Sequence, residues 1–145
     1  MRRVPIILVI LAVAFNLWTL RAERIPVAQV NDGAMHTQMI RWAADRIDDG
    51  HVPLDGWYPN LALGSAQFHH YPSLPHVLMA PLALEVEAEA LYPLSVYLLL
   101  SLWPLAVYFG ARGFGWDPLA AACSALVAPL IASVPGYGFE YDSYT

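Results

Sequence analysis

Asp32 and His36 lie four residues apart, a spacing that puts a carboxyl group and an imidazole on one helix face, one turn from each other. If a helix starts at Asn31 or Asp32, the Asp32 carboxylate sits among free backbone amides at the positive end of the helix dipole, which favours its charged form. A charged carboxylate next to an imidazole suits a general base, a group that orients an acceptor hydroxyl, or a metal ligand. The plainer alternative is an N-cap aspartate followed by a surface histidine. The same polar stretch, 31–76, holds all five histidines of the chain: His36, His51, His69, His70 and His76. His69 and His70 precede Tyr71-Pro72 and have the chemistry to donate to phosphate oxygens at a membrane interface. Trp57 and Tyr58 carry amphipathic rings that suit the headgroup level of a bilayer or a stacked sugar or lipid headgroup. The chain has no HExxH or other helix-spaced ligand pair. No metal site is therefore assigned and no cofactor is expected; a divalent ion is suggested only by the number of histidines.

The segments that must position these residues are apolar. Of the 145 residues, 58% are hydrophobic and 13% charged, with a mean hydropathy of +0.47. Soluble domains run nearer to about 25% charged, so the composition points to an integral membrane protein. The net charge of -5 gives no nucleic-acid footprint. The single cysteine, Cys123, sits in an apolar run and reads as helix packing.

Three uncharged stretches read as spanning helices: 4–20, 90–111 and 119–134. Asp117-Pro118 reads as the N-cap and first residue of the third. Pro93 and Pro104 fall in the second, where neighbouring helices can satisfy the carbonyls that a proline frees. Between the first two spans, 21–89 reads as an external loop. It holds an amphipathic helix over about 32–49 and a short apolar helix over 74–84 that dips into the membrane. Met35, Met39, Trp42, Ala43 and Ile47 form the apolar stripe of the first, with His36, Arg41, Asp45 and Asp48 off it. Arg2 and Arg3 place the N-terminus in the cytoplasm, and 135–145 falls outside. The expected fold is thus all-α and integral to the cell membrane, multi-pass, with three spans and two juxtamembrane helices in the first external loop. Three spans are few for this composition, so the chain is expected to be the N-terminal part of a longer membrane protein.

The order of these parts resembles the GT-C superfamily of polyprenyl-phosphate-sugar-dependent glycosyltransferases. Within it the chain is most similar to large multi-pass bacterial proteins of the YfhO and PTPS-related membrane type and to arabinofuranosyltransferase-like proteins. The residues that carry the resemblance are Asp32 and His36, then Gly50, Pro53, Trp57 and Pro59, then Gly64, Phe68, Tyr71, Pro72 and Leu74. The pattern departs from many relatives at Pro72-Ser73, where they have Pro-Pro, and at Asp32-Gly33, where they have two acids, which argues against a two-carboxylate mechanism. The resemblance implies that Asp32 is the catalytic carboxylate, and that His36, Trp57, Tyr58, His69, His70 and Tyr71 bind a polyprenyl-phosphate-linked sugar at the outer face of the membrane. Membrane lipids and the remainder of a longer chain would be the other partners. The competing expectation is a non-enzymatic polytopic protein, an envelope scaffold or a transporter segment; the uncharged spans argue against a proton-coupled carrier.

Overall fold

A computed structural model describes residues 3–25, 32–60 and 63–131. The described residues are helical, with no strand beyond one isolated bridge between Tyr58 and Ser65. The chain divides into two units, one made of residues up to Ile25 and from Leu94 onward, the other of residues 26–93.

The first unit is built from α1 (Arg3–Thr19), the part of α5 (Ala88–Gly113) from Leu94 onward, and α6 (Pro118–Ile131). The buried residues of α1 are Pro5, Val9, Ala12 and Asn16, a single stripe at three- and four-residue spacing. Val9 packs with Ala122 and Ala125 of α6 and with Leu105 and Tyr108 of α5. The interior is made of small side chains: Ala12, Ala121, Ala122, Ala125 and Ala128 are buried, while Ile6, Ile10, Leu99 and Phe109 face outward. Small residues let helix backbones approach closely and gain dispersion contacts along their length.

Pro104 interrupts the ladder of α5. It has no N–H, so the Leu100 carbonyl four residues earlier has no helical donor. Asn16 of α1 supplies the missing bond, its Nδ2 donating to the Leu100 oxygen at 3.0 Å. The expectation that neighbours satisfy proline-freed carbonyls is met here by a named residue. The C-terminal carbonyls of α1 are met in the same way: the Tyr97 hydroxyl donates to the Leu17 oxygen at 3.0 Å, and the Arg21 guanidinium to that of Trp18 at 2.6 Å. The start of α6 is as the sequence indicates, with the Asp117 carboxylate accepting from the Leu119 amide at 2.8 Å and Pro118 in the first helical position.

Among the described residues one helix, the 26-residue α5, is long and apolar enough to cross a bilayer. With 17 residues α1 reaches about 25 Å, and with 14 residues α6 reaches about 21 Å, both short of a hydrocarbon core of about 30 Å. The three-span arrangement is therefore not shown by helix length. The expected end of the third segment, 132–134, and the segment 135–145 lie outside the described residues.

The second unit is organised around α2 (Asp32–Asp48), which packs against α4 (Leu74–Met79) and a 3₁₀ turn, Leu82–Leu84. Met39, Ala43 and Ala44 form one core with Tyr58, Phe68 and Ala80, and Ile40 forms another with Ala88 and Leu91. Flanked on two sides, α2 buries a wider face than the sequence stripe allows: Met39, Ile40, Ala43 and Ala44 are all at most 5% exposed. Gly50 closes α2 with φ +76°, a conformation open to glycine. Its amide donates to the Ile47 carbonyl at 3.0 Å and that of His51 to the Arg46 carbonyl at 2.7 Å, which together make a Schellman cap.

The continuous helix expected over 74–84 is broken in two. Pro81 cannot donate to the Val77 carbonyl, so α4 stops at Met79 and the chain resumes as the tighter 3₁₀ turn. Leu74, Leu78 and Leu82 stay exposed at four-residue intervals, while His76 and Ala80 turn inward.

Replacing Asn16 by leucine will strand the Leu100 carbonyl in apolar surroundings and cost about 1–3 kcal/mol. In a Pro104→Ala background residue 104 regains its N–H, so the same change will cost less than about 1 kcal/mol. Thermal or denaturant unfolding of the four proteins in this cycle measures the difference.

Candidate functional site

The second unit gathers its chemistry where α2, α4 and the start of α5 meet. Asp32 is the first residue of α2 and is exposed; His36, one turn on, is half-buried. The reading of His36 as lying off the buried face is corrected by the structure, because α4 and the first turn of α5 both close on this end of α2. His36 Nδ1 lies 2.8 Å from Nε2 of His76, which projects inward from α4. The two ring planes are within 18° of each other, with centroids 5.1 Å apart. Tyr92 of α5 lies almost parallel to His36 at 5.5 Å. Tyr71, in the connection before α4, stands tilted at 6.0 Å.

This pair is one end of a row of rings. Phe68 sets its edge or face at 81° to His76, 6.1 Å away, and stacks on Trp42 at 4.9 Å. Trp42 in turn meets Tyr58 edge-on at 5.8 Å. Tilted and offset contacts of this kind suit the ring quadrupoles and contribute about 0.5–1.5 kcal/mol each beyond area burial. Phe68 is held in the row by α3 (Gln67–His70), a single helical turn too short to show a period in the sequence.

Both histidines favour the neutral form. Burial pushes His36 below the usual histidine value, and the negative charge of Asp32 works in the opposite sense. Burial also lowers His76, helped by the neighbouring His36 and opposed by the Pro72 and Ser73 carbonyls. His76 Nδ1 is buried without a hydrogen-bond partner. Of the facing His36 Nδ1 and His76 Nε2, one donates and the other accepts, according to the tautomer. Asp32 lies close enough for its charge to act on both His36 and Tyr92. Together these groups put an open carboxylate beside two half-buried phenols and a neutral imidazole pair. Such a set can take a proton from a hydroxyl and hold a polar ligand against aromatic faces. Among the described residues no group of three His, Cys, Asp or Glu side chains could hold a metal ion.

Of the residues singled out from sequence, Tyr71 stands against His36, and Asp32 lies one turn before His36 on α2. Trp57, His69 and His70 lie outside this cluster. His69 and His70 are exposed on α3, with His69 3.7 Å from the Asp55 carboxylate. Trp57 is 64% exposed and lies over Gly64. Gly64 has φ +88°, and a Cβ there would strike the indole, so both the turn and the close approach require glycine. Tyr58 is 1% exposed and is tied to Ser65 by two backbone hydrogen bonds of 2.8 and 3.0 Å. Burial raises its phenol above the usual tyrosine value, with a hydrogen bond from Asn60 acting against this.

Two members of the cluster, His76 and Tyr92, carry no mark in the local sequence. His76 stands 40 residues from its partner. The one available signal is the leucine spacing of 74, 78 and 82, which puts His76 on the opposite, inward face. Tyr92 reads as one aromatic ring of an apolar segment.

No protein-family model, curated protein or solved structure matches this chain.

Tyr58→Ala will destabilise the protein by about 3–5 kcal/mol, the usual cost of deleting a buried aromatic ring. Trp57→Ala, at an exposed position, will change stability by less than about 0.5 kcal/mol. Parallel unfolding curves test both expectations.

Proposed function

We propose that the chain is the first part of a multi-pass membrane glycosyltransferase of GT-C type, acting in cell-envelope glycan assembly. The donor is a polyprenyl-phosphate-linked sugar, reached from the outer face of the membrane. The N-terminus is cytoplasmic, and the unit formed by 26–93 belongs to the first external loop. Asp32 deprotonates or orients the acceptor hydroxyl, while His36 and Tyr71 line the place where the ligand lies. Trp57, His69 and His70, exposed on the same unit, are available to the lipid-phosphate and the membrane surface.

The observation that carries this reading is the setting of Asp32. It is exposed at the start of α2, and its charge acts on His36 and Tyr92. A base must reach its proton directly, and an exposed carboxylate suits that role. Membrane embedding draws support from the inverted packing of α1, α5 and α6, with alanines inside and large apolar side chains outside. The exposed ridge of Leu74, Leu78 and Leu82 suits a helix that dips into the hydrocarbon boundary. A non-enzymatic scaffold is the second reading. It is favoured by the depth at which Tyr58 and Phe68 are packed, since rings placed there serve the core rather than a ligand.

In the full-length protein, Asp32→Asn will lower sugar transfer from a polyprenyl-phosphate donor by about 10²–10⁴-fold with insertion into the membrane unchanged. Undiminished transfer by the stably inserted variant would sink the catalytic assignment. Photocrosslinking to a polyprenyl-phosphate probe separates transferase from scaffold, because the scaffold gives no specific adduct.

A further inference from the structure

The imidazole pair in the second unit has a proton capacity that its geometry limits. Two facing nitrogens at 2.8 Å hold one proton between them. The neutral pair carries its second proton on one of the two outward nitrogens, His36 Nε2 or His76 Nδ1, according to the tautomer. A third proton takes the other outward nitrogen, and the bond between the rings survives. A fourth has only one place to go, the facing nitrogen that accepts the bond. Its arrival turns an acceptor into a donor, sets two N–H groups against each other and puts two positive charges side by side.

We propose that the His36–His76 pair is a proton-counting latch between α2 and α4, closed with up to one added proton and opened by the second. The surroundings favour this order of events. On the α2 side the charge that acts on His36 is Asp32, which favours the first added proton. The other groups packed on the pair are the Tyr71 and Tyr92 phenols and the Phe68 ring, and none of them supplies a carboxylate to balance a second proton. His76 is 3% exposed, so water cannot solvate its cation while the unit is closed. The ion pair Arg41–Glu89, which also ties α2 to the start of α5, involves neither ring.

The sign follows from the direction of the two shifts. Each histidine binds its proton more weakly in the closed unit than in an open chain, where the value is about 6.5. The closed state is therefore fully favoured above that pH and loses ground as the pH falls from about 6.5 toward the lowered values of the pair. Opening takes up one to two protons, so the opening constant rises between about tenfold and a hundredfold for each pH unit in that window.

Spin labels at two exposed positions, Asp45→Cys on α2 and Leu78→Cys on α4 in a Cys123→Ala background, report the separation in detergent micelles. The expected result is a constant short distance at neutral pH and a growing population of longer distances on acidification. A His36→Phe, His76→Phe protein keeps flat rings in the row and will show a distance that does not vary with pH. Long-range imidazole NMR of the unsubstituted chain provides a readout that survives if the double variant fails to fold. It should show one N–H shared between the facing nitrogens at neutral pH, then protonation in two separated steps, with the distance change following the second. The latch is overturned if both rings protonate near the ordinary value while the label distance holds, or if the double variant opens on acidification as the parent does. Neither readout depends on glycosyl transfer, so the latch and the transferase reading can fail separately.

Discussion

In α5, Pro104 takes away the donor that would have met the Leu100 carbonyl, and the Asn16 amide of α1 restores it. A peptide carbonyl buried without a partner costs about 1–3 kcal/mol, so this bond is hard to give up. It also sets position. With Asn16 bound at Leu100 and Tyr97 bound at Leu17, α1 has one axial register against α5. That register points the Val9 and Ala12 stripe at the alanines of α6. Small side chains give no lock-and-key shape of their own, so the polar contacts supply the specificity that alanine packing lacks.

In the second unit two imidazoles pair across α2 and α4, one facing nitrogen donating to the other, while His76 Nδ1 is left without a partner. Around them the rings of Tyr92, Phe68, Trp42 and Tyr58 form a row that links the beginning of α5 to the 58–65 loop. The loop holds its end of the row through the Tyr58–Ser65 bridge and the tight turn at Gly64 beneath Trp57. Asp32 sits exposed at the start of α2 in this same unit.

Much of the helical framework was legible from composition and local chemistry. Uncharged runs marked α1, α5 and α6, Asp117-Pro118 marked the start of α6, and Asn31-Asp32 with Gly50 bracketed α2 to within a residue or two. These signals are local: a cap, a missing N–H or a glycine acts within one turn of itself. The break at Pro81 was also written in the sequence, although an apolar run of eleven residues suggested one helix over 74–84. The four-residue spacing of Asp32 and His36 was legible as one helix face, and Tyr71, named through the family resemblance, stands 6.0 Å from His36.

The partner of His36 was not legible, nor was the burial of Tyr58. The sequence by itself determined where the long helices α1, α2, α5 and α6 form, and that an acid and an imidazole share the first turns of α2. Only the tertiary structure decided that His76 rather than His69 or His70 faces His36, that Tyr92 lies along His36, and that Asn16 answers Pro104. The reason is physical. Helix formation is set by groups a few residues apart, whereas a buried polar atom accepts whichever partner packing brings within about 3 Å, at any distance along the chain.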